Sequence, residues 1–182
     1  MTRLGDHQGA LRSIEGASAL EPENALLHRL KGDTLVHLGM KVEALASYRE
    51  ALRLDPGMYP AYVNIGNLLS ELGHFDLAVK TLSHLIKLDE SNADALISRG
   101  AAFMRINLVH EAHRDFARAL EIAPRSTLAR HNLSVTHSTL GEPRQALELL
   151  DQLILTNPES QRDRYTRSLL LLVTGELPAA WE

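Results

Sequence analysis

Apolar and polar residues alternate along the chain with the spacing of amphipathic α-helices, and the whole pattern returns every 34 residues. It is clearest in AYVNIGNLLSELGHFDLAVKTLSHLIKL, residues 61–88, which predicts two helices joined by a tight turn. Gly32, Gly66 and Gly100 mark the period. Alanine recurs with the same spacing, at Ala10, Ala44, Ala78, Ala112, Ala146 and Ala180. A period of this length is typical of stacked helical repeats.

Numbering each repeat from 1 to 34, with Gly66 at position 8, divides the chain into four full repeats and two partial ones. The full repeats are 25–58, 59–92, 93–126 and 127–160. The partial repeats, 1–24 and 161–182, complete a predicted single array over residues 1–182.

Residues at two positions of the repeat end its helices. Position 15 carries residues that tolerate the left-handed conformation that ends a helix, at Gly5, Gly39, Gly73, Asn107, Gly141 and Gly175. Position 32 carries proline, which stops the second helix, at Pro22, Pro56, Pro124 and Pro158, and Glu90 breaks this series. The predicted helices are 7–20, 25–38, 42–55, 59–72, 76–89, 93–106, 110–123, 127–140, 144–156 and 161–173, with a stub from about 177.

Small residues at positions 8 and 20 predict a close crossing of the two helices of each repeat, since only small side chains permit it. Position 8 carries Gly32, Gly66, Gly100, Ser134 and Ser168. We expect the larger residues at positions 11 and 24 to fill the space between neighbouring hairpins, namely Leu35, Tyr48, Leu69, Leu82, Phe103 and Phe116. These side chains are the predicted core.

The segment LKGDTLVHLGMKVEALASYREALRLDP carries this pattern of small, large, glycine, alanine, aromatic and proline positions, and it resembles the tetratricopeptide repeat. The resemblance covers essentially the whole chain. It implies an all-α fold, a right-handed superhelical solenoid of stacked helix-turn-helix hairpins. The departures from the pattern predict looser packing around the fourth repeat, and they are Leu85, Arg130, His137 and Leu153.

Composition narrows the possible functions. The formal net charge of -4 argues against a general nucleic-acid or anionic-membrane surface. The longest apolar run, 169–173, is far shorter than the roughly 20 residues of a membrane-spanning helix. The absence of cysteine fits a reducing compartment. We therefore expect a cytoplasmic protein that binds neither nucleic acid nor membrane.

No catalytic constellation stands out, so we expect no enzymatic activity, cofactor or metal in this chain. It contains no phosphate-binding glycine loop, nucleophile motif or thiol. Its nine histidines are scattered, whereas a zinc site needs about three converging ligands. Basic residues gather near His110, Arg118 and Arg130 and could hold an acidic partner. We favour the alternative that they pair with nearby carboxylates at helical spacing.

By the resemblance, positions 2, 5, 6, 9, 12 and 13 of the first helices face a concave groove. The predicted partner-binding residues are Arg29, Asp33, Val63, Asn64, Asn67, Ile97, Ala101, Met104, Arg105, His131, Asn132 and Val135. An asparagine at position 6 can donate to and accept from a peptide backbone. Asn64 and Asn132 thus resemble the asparagine ladder of O-linked N-acetylglucosamine transferase repeats, which Ser98 interrupts here. The alternative is that each asparagine ties its own helix to the next.

Three functional hypotheses follow. The first is a protein-interaction scaffold whose groove binds an extended peptide or a partner helix. The second is the recognition arm of a larger enzyme, because RSLLLLVTGELPAAWE resembles the junction in bacterial repeat proteins that continue into a glycosyltransferase-like domain. The third is self-association through the apolar ends, at Leu169 to Leu172 and Trp181.

Overall fold

The computed structural model describes residues 6–175, and within that range the fold is all-α, with ten helices and no strand. The helices are α1 (His7–Leu20), α2 (Ala25–His37), α3 (Lys41–Leu54), α4 (Tyr59–Glu71), α5 (Phe75–Leu88), α6 (Ala93–Arg105), α7 (Val109–Ile122), α8 (Thr127–Thr139), α9 (Pro143–Thr156) and α10 (Gln161–Thr174). Every bound lies within one residue of its prediction. The predicted stub from 177 lies outside the described residues, as do Gly5, Ala180 and Trp181.

Local chemistry explains where the helices begin and end. Asn92 caps α6 by accepting a hydrogen bond from the backbone N–H of Ala95, and Ser126 caps α8 in the same way. The turn after each first helix passes through the left-handed region, at Gly39, Gly73, Asn107, Gly141 and Gly175. The prediction for position 15 is confirmed at these residues, because glycine and asparagine adopt positive φ at low cost.

The two helices of a hairpin cross where glycine occupies position 8. A Cβ atom on Gly100 would lie 2.7 Å from the Phe116 ring, and one on Gly66 would lie 2.5 Å from Leu82. The position-24 side chain therefore lies over the glycine of its own hairpin, in the space that the missing Cβ atom leaves. Phe116 also shares a core cluster with Ala129 and Leu133 of the next hairpin, in line with the expected place between hairpins.

Contacts divide the chain into two compact units, residues 1–85 and 86–182. In the first unit α2 packs against α3 and α3 against α4. In the second, α6 to α10 pack in chain order, each against the next. Phe116, 1% exposed, lies in the core cluster of this second unit together with Ala119 and Leu133. Stacked hairpins are thus confirmed within each unit, and the single array over the whole chain stays a prediction.

The departures from the repeat pattern have different surroundings. Leu85 and Leu153 are 0% and 2% exposed, so both larger side chains are buried, and looser packing around the fourth repeat stays a prediction. Each leucine replaces a small residue, yet both are covered completely. Arg130, on α8, binds the segment that precedes this helix. Its Nη2 donates a hydrogen bond to the carbonyl of Pro124 at 2.6 Å.

The last described helix exposes only part of its apolar residues. Leu170 and Leu171 of the predicted apolar end are buried. Leu169, Leu172 and Val173 are 49%, 40% and 77% exposed. Self-association through this end stays a prediction. Between residues 6 and 175, no helix combines the length and apolarity that crossing a membrane requires.

The helix crossing makes a prediction about stability. We expect Gly100→Ala to lower the free energy of unfolding by about 1–3 kcal/mol, because the new Cβ atom would lie 2.7 Å from the buried Phe116 ring. Gly16→Ala is the matched control, since Gly16 lies inside α1 with nothing within 4 Å. The control should gain about 0.5–1 kcal/mol from helix propensity alone. Urea denaturation followed by circular dichroism measures both, and equal effects of the two substitutions would contradict the crossing.

Candidate partner-binding groove

Predicted groove residues of the first unit form a closed hydrogen-bonded network around Asp33. The Asp33 carboxylate accepts from Nη1 of Arg29 at 2.6 Å and from the hydroxyl of Tyr48 at 2.8 Å. It also accepts from Nδ2 of Asn64, on α4, at 2.9 Å. Burial, followed by the hydrogen bond to Asp33, raises the pKa of Tyr48, which keeps this phenol protonated as a donor.

This network joins three helices of the first unit. Asn64 connects α4 to α2, which is the structural alternative to reading a peptide backbone. Asp33 uses both carboxylate oxygens within the protein, one on Arg29 and the other on Tyr48 and Asn64. Val63 is half-buried and Asn67 is exposed. Of the predicted groove residues in this unit, Asn67 is thus the most accessible.

Predicted groove residues of the second unit line an open pocket instead. The pocket has a volume of about 180 Å³, and its lining consists of Ala101, Met104, Phe116, Asn132 and Val135. Four of these five residues are predicted groove residues, brought together from α6 and α8. The sequence predicted Phe116 as a core residue and not as part of the groove. Its contribution to the pocket could have been inferred from position 24, because residues at this position face the first helices. The lining is apolar except for the amide of Asn132.

The network and the pocket occupy equivalent places in the repeat. Moving 68 residues along the chain, which is two repeats, converts Asp33 into Ala101, Tyr48 into Phe116 and Asn64 into Asn132. Alanine offers no acceptor and phenylalanine no hydroxyl. Among residues 6–175, the Asn132 amide makes no side-chain hydrogen bond comparable to that of Asn64. The same asparagine position is therefore engaged in one unit and available in the other.

Two other predicted groove residues are buried in the second unit. Ile97 is 6% exposed and belongs to the core cluster. His131 is 8% exposed, and its Nδ1 lies 2.6 Å from Oδ1 of Asp163 on α10. Burial is the main cause that lowers the pKa of His131, so the neutral ring donates its N–H to the carboxylate at pH 7. Ile97 and His131 are thus buried although they were predicted to face the groove. Arg105, another predicted groove residue, is exposed.

Polar side chains of the second unit form hydrogen bonds and ion pairs within the protein. Ser160 and His131 both bind the carboxylate of Asp163, so the serine hydroxyl does not face the histidine as a nucleophile faces its base. No group of three histidine, aspartate or glutamate side chains within 6–175 could hold a metal ion. Arg118 pairs with Glu121 at 2.8 Å, as the spacing predicts.

Comparisons with known proteins agree on the repeat. Two models described as tetratricopeptide repeat match residues 3–59 and 42–99. The chain is 24% identical over 184 residues to the human protein O-mannosyl-transferase TMTC3, covering 92% of this chain and 20% of that protein. The chain thus spans about a fifth of the length of this curated relative.

Solved structures extend the likeness to the whole fold. PilW, described as a type IV pilus biogenesis factor, superposes with a TM-score of 0.87 and 20% identity over 97% of this chain and 82% of that chain. YrrB, described as a tetratricopeptide repeat protein with an unusual peptide-binding site, gives 0.68 and 25% identity over 94% and 84%. At its level of identity, the PilW match supports the fold alone.

The Asp33 network predicts a measurable coupling. Asp33→Ala leaves the buried Tyr48 hydroxyl without its acceptor, which should cost about 1–3 kcal/mol of unfolding free energy. Tyr48→Phe in the same chain removes that hydroxyl, so the double variant should be more stable than Asp33→Ala alone. Urea denaturation of the four proteins of this cycle gives the coupling. Strictly additive effects would show that the two side chains do not depend on each other.

Proposed function

Because the chain belongs to the tetratricopeptide repeat family, we propose that it is a protein-interaction scaffold that binds an extended peptide or a partner helix in its groove. The observation that carries the proposal is the open pocket of the second unit, between Ala101, Met104, Phe116, Asn132 and Val135. At about 180 Å³ it is smaller than the roughly 300–1000 Å³ of small-molecule sites. It suits a single side chain of a partner protein.

The proposed ligand places an aliphatic side chain in the pocket and its main chain against Asn132. Burial of such a side chain contributes about 1.5–3 kcal/mol. Each hydrogen bond from the Asn132 amide adds about 0.5–1.5 kcal/mol. These gains are comparable to the cost of immobilising a ligand, so one pocket alone binds weakly. The partner therefore has to be extended, with contacts on further exposed groove residues such as Arg105.

The first unit contributes less to this proposed site. Asp33 accepts from both Arg29 and Asn64, and a ligand that took either donor N–H would have to break its hydrogen bond first. That exchange gains little, because the new bond replaces an existing one. Asn67 is the predicted residue of this unit that a partner reaches without such a loss.

The test is peptide binding to variants of the pocket. Peptides selected from a random display library on the intact chain serve as ligands, and calorimetry measures their affinity. Ala101→Asp should weaken binding at least about tenfold, because it places a charge in the apolar pocket and supplies Asn132 with the acceptor that Asp33 gives Asn64. Asn132→Ala should weaken binding by about two- to tenfold.

Asn67→Ala is the control for an exposed asparagine outside the pocket. Its affinity should stay within about twofold of the parent protein, which corresponds to a few tenths of a kcal/mol. Circular dichroism verifies that each variant is folded. Peptides that bind Ala101→Asp and Asn132→Ala as tightly as the parent protein would rule out the pocket as the site.

A second proposed function is the recognition arm of a larger enzyme. The observation that favours it is that a mannosyl-transferase contains a matching repeat region within a much longer protein. On this proposal the natural polypeptide is larger than the 20.2 kDa of the present chain. An antibody raised against residues 6–175 should then detect a markedly larger species in extracts of the source cells. Detection of a 20 kDa species alone would contradict this proposal.

A further inference from the structure

Two histidine rings meet between the third and fourth repeats. His113 on α7 and His137 on α8 lie edge to face, with ring centroids 4.6 Å apart. His137 occupies position 11, where the earlier full repeats carry Leu35, Leu69 and Phe103. A position that is apolar elsewhere in the array therefore carries a titratable ring, and that ring packs against a second one.

The groups around this pair do not balance two positive charges. Nδ1 of His137 lies 2.6 Å from a carboxylate oxygen of Glu142, which precedes α9. Nδ1 of His113 lies 3.3 Å from the hydroxyl of Thr136, which carries no charge. His110, on the same helix as His113, is a further cause that lowers the pKa of His113. The carboxylate of Glu142, partly exposed, thus lies on His137 and not on His113.

We propose that the His113–His137 contact is an acid-sensitive latch, which holds α7 against α8 while the rings are neutral and loosens when both are protonated. In the neutral state the edge of one ring packs on the face of the other. In the doubly protonated state two like charges about 4.6 Å apart repel each other in a half-buried site. Glu142 compensates only the ring of His137.

The direction of the pH effect follows from the burial of His113. Desolvation, followed by the neighbouring His137, lowers the pKa of His113 below its ordinary value. A histidine with a depressed folded-state pKa stabilises the fold fully above its unfolded pKa of about 6.5. That stabilisation is lost as the pH falls from about 6.5 towards the folded-state value. Acidification therefore weakens the contact between α7 and α8.

The latch lies beside the proposed pocket. Phe116 of the pocket is on α7, and Asn132 and Val135 are on α8. Separation of these helices therefore moves Phe116 away from the other two lining residues. A partner bound near pH 7.5 would then be released near pH 5.5. This consequence rests on the proposed function, whereas the opening of the latch does not.

Amide hydrogen exchange of the intact chain without a partner tests the latch. The rates of α8 amides at pH 7.5 and 5.5 are divided by the intrinsic chemical rates to give protection factors. We expect protection of α8 to fall in acid, by up to about tenfold, because proton linkage at one histidine gives no more than this between pH 6.5 and pH 5.5. His137→Leu installs the residue type of Leu35 and Leu69 and should reduce this fall, because it removes the repulsion between the two rings. His113→Gln is a second variant with the same expected result.

His37→Asn is the matched control, because His37 stacks on His7 with centroids 4.8 Å apart but is exposed. It should leave the acid response of α8 unchanged. The His131–Asp163 pair joins α8 to α10 in all of these proteins, so its own acid response cancels in the comparison. An equal fall in the parent protein and in both latch variants would overturn the proposal.

Calorimetry with a display-selected peptide at the same two pH values separates the two proposals. A latch that opens in acid, with no peptide depending on Ala101 or Asn132, would leave the latch standing and refute the pocket. A peptide that depends on the pocket but binds equally at both pH values, together with unchanged protection of α8, would refute the latch. Loss of affinity in acid that His137→Leu prevents supports both.

Discussion

The close crossing of two helices at position 8 is the constraint on which the rest of the structure depends. Gly32, Gly66 and Gly100 leave no room for a Cβ atom under the side chain that covers them. A first helix held at this distance cannot rotate about its axis without a clash. Positions 6, 9 and 12 are consequently presented in the same way in the three repeats that carry these glycines. The packing residues thus determine the position of the variable residues, and the variable residues determine the local chemistry.

The two units show how one residue at a fixed place changes the chemistry of the repeat. Position 9 carries Asp33, Asn67, Ala101 and Val135 in successive repeats. Aspartate gathers the asparagine of the next repeat and a tyrosine into a closed network. Alanine at the same place leaves a pocket beside an asparagine of identical position. Hydrogen bonds between side chains of three helices rigidify the first unit, whereas we propose that the pocket next to the Asn132 amide binds a ligand.

Local signals account for the success of the helix prediction. Glycine and asparagine at position 15 adopt the left-handed conformation wherever the structure describes them, and this local preference is visible in the sequence alone. The partner of a polar side chain is not. Asn64 donates to Asp33, 31 residues away, and His131 meets Asp163, 32 residues away. The repeat fixes the place of each side chain, but the atom that satisfies it depends on the residue types of a neighbouring repeat. Comparison of position 9 across the repeats contains the signal that separates Asn64 from Asn132.

The central claim is that position 9 decides which asparagine is free to bind a partner. Nuclear magnetic resonance of the side-chain amide groups of Asn64 and Asn132, recorded with and without a display-selected peptide, tests it most directly. The account predicts that the Asn132 signals shift on binding and that the Asn64 signals do not, since its amide stays on Asp33. Shifts of Asn64 with no change at Asn132 would contradict the account.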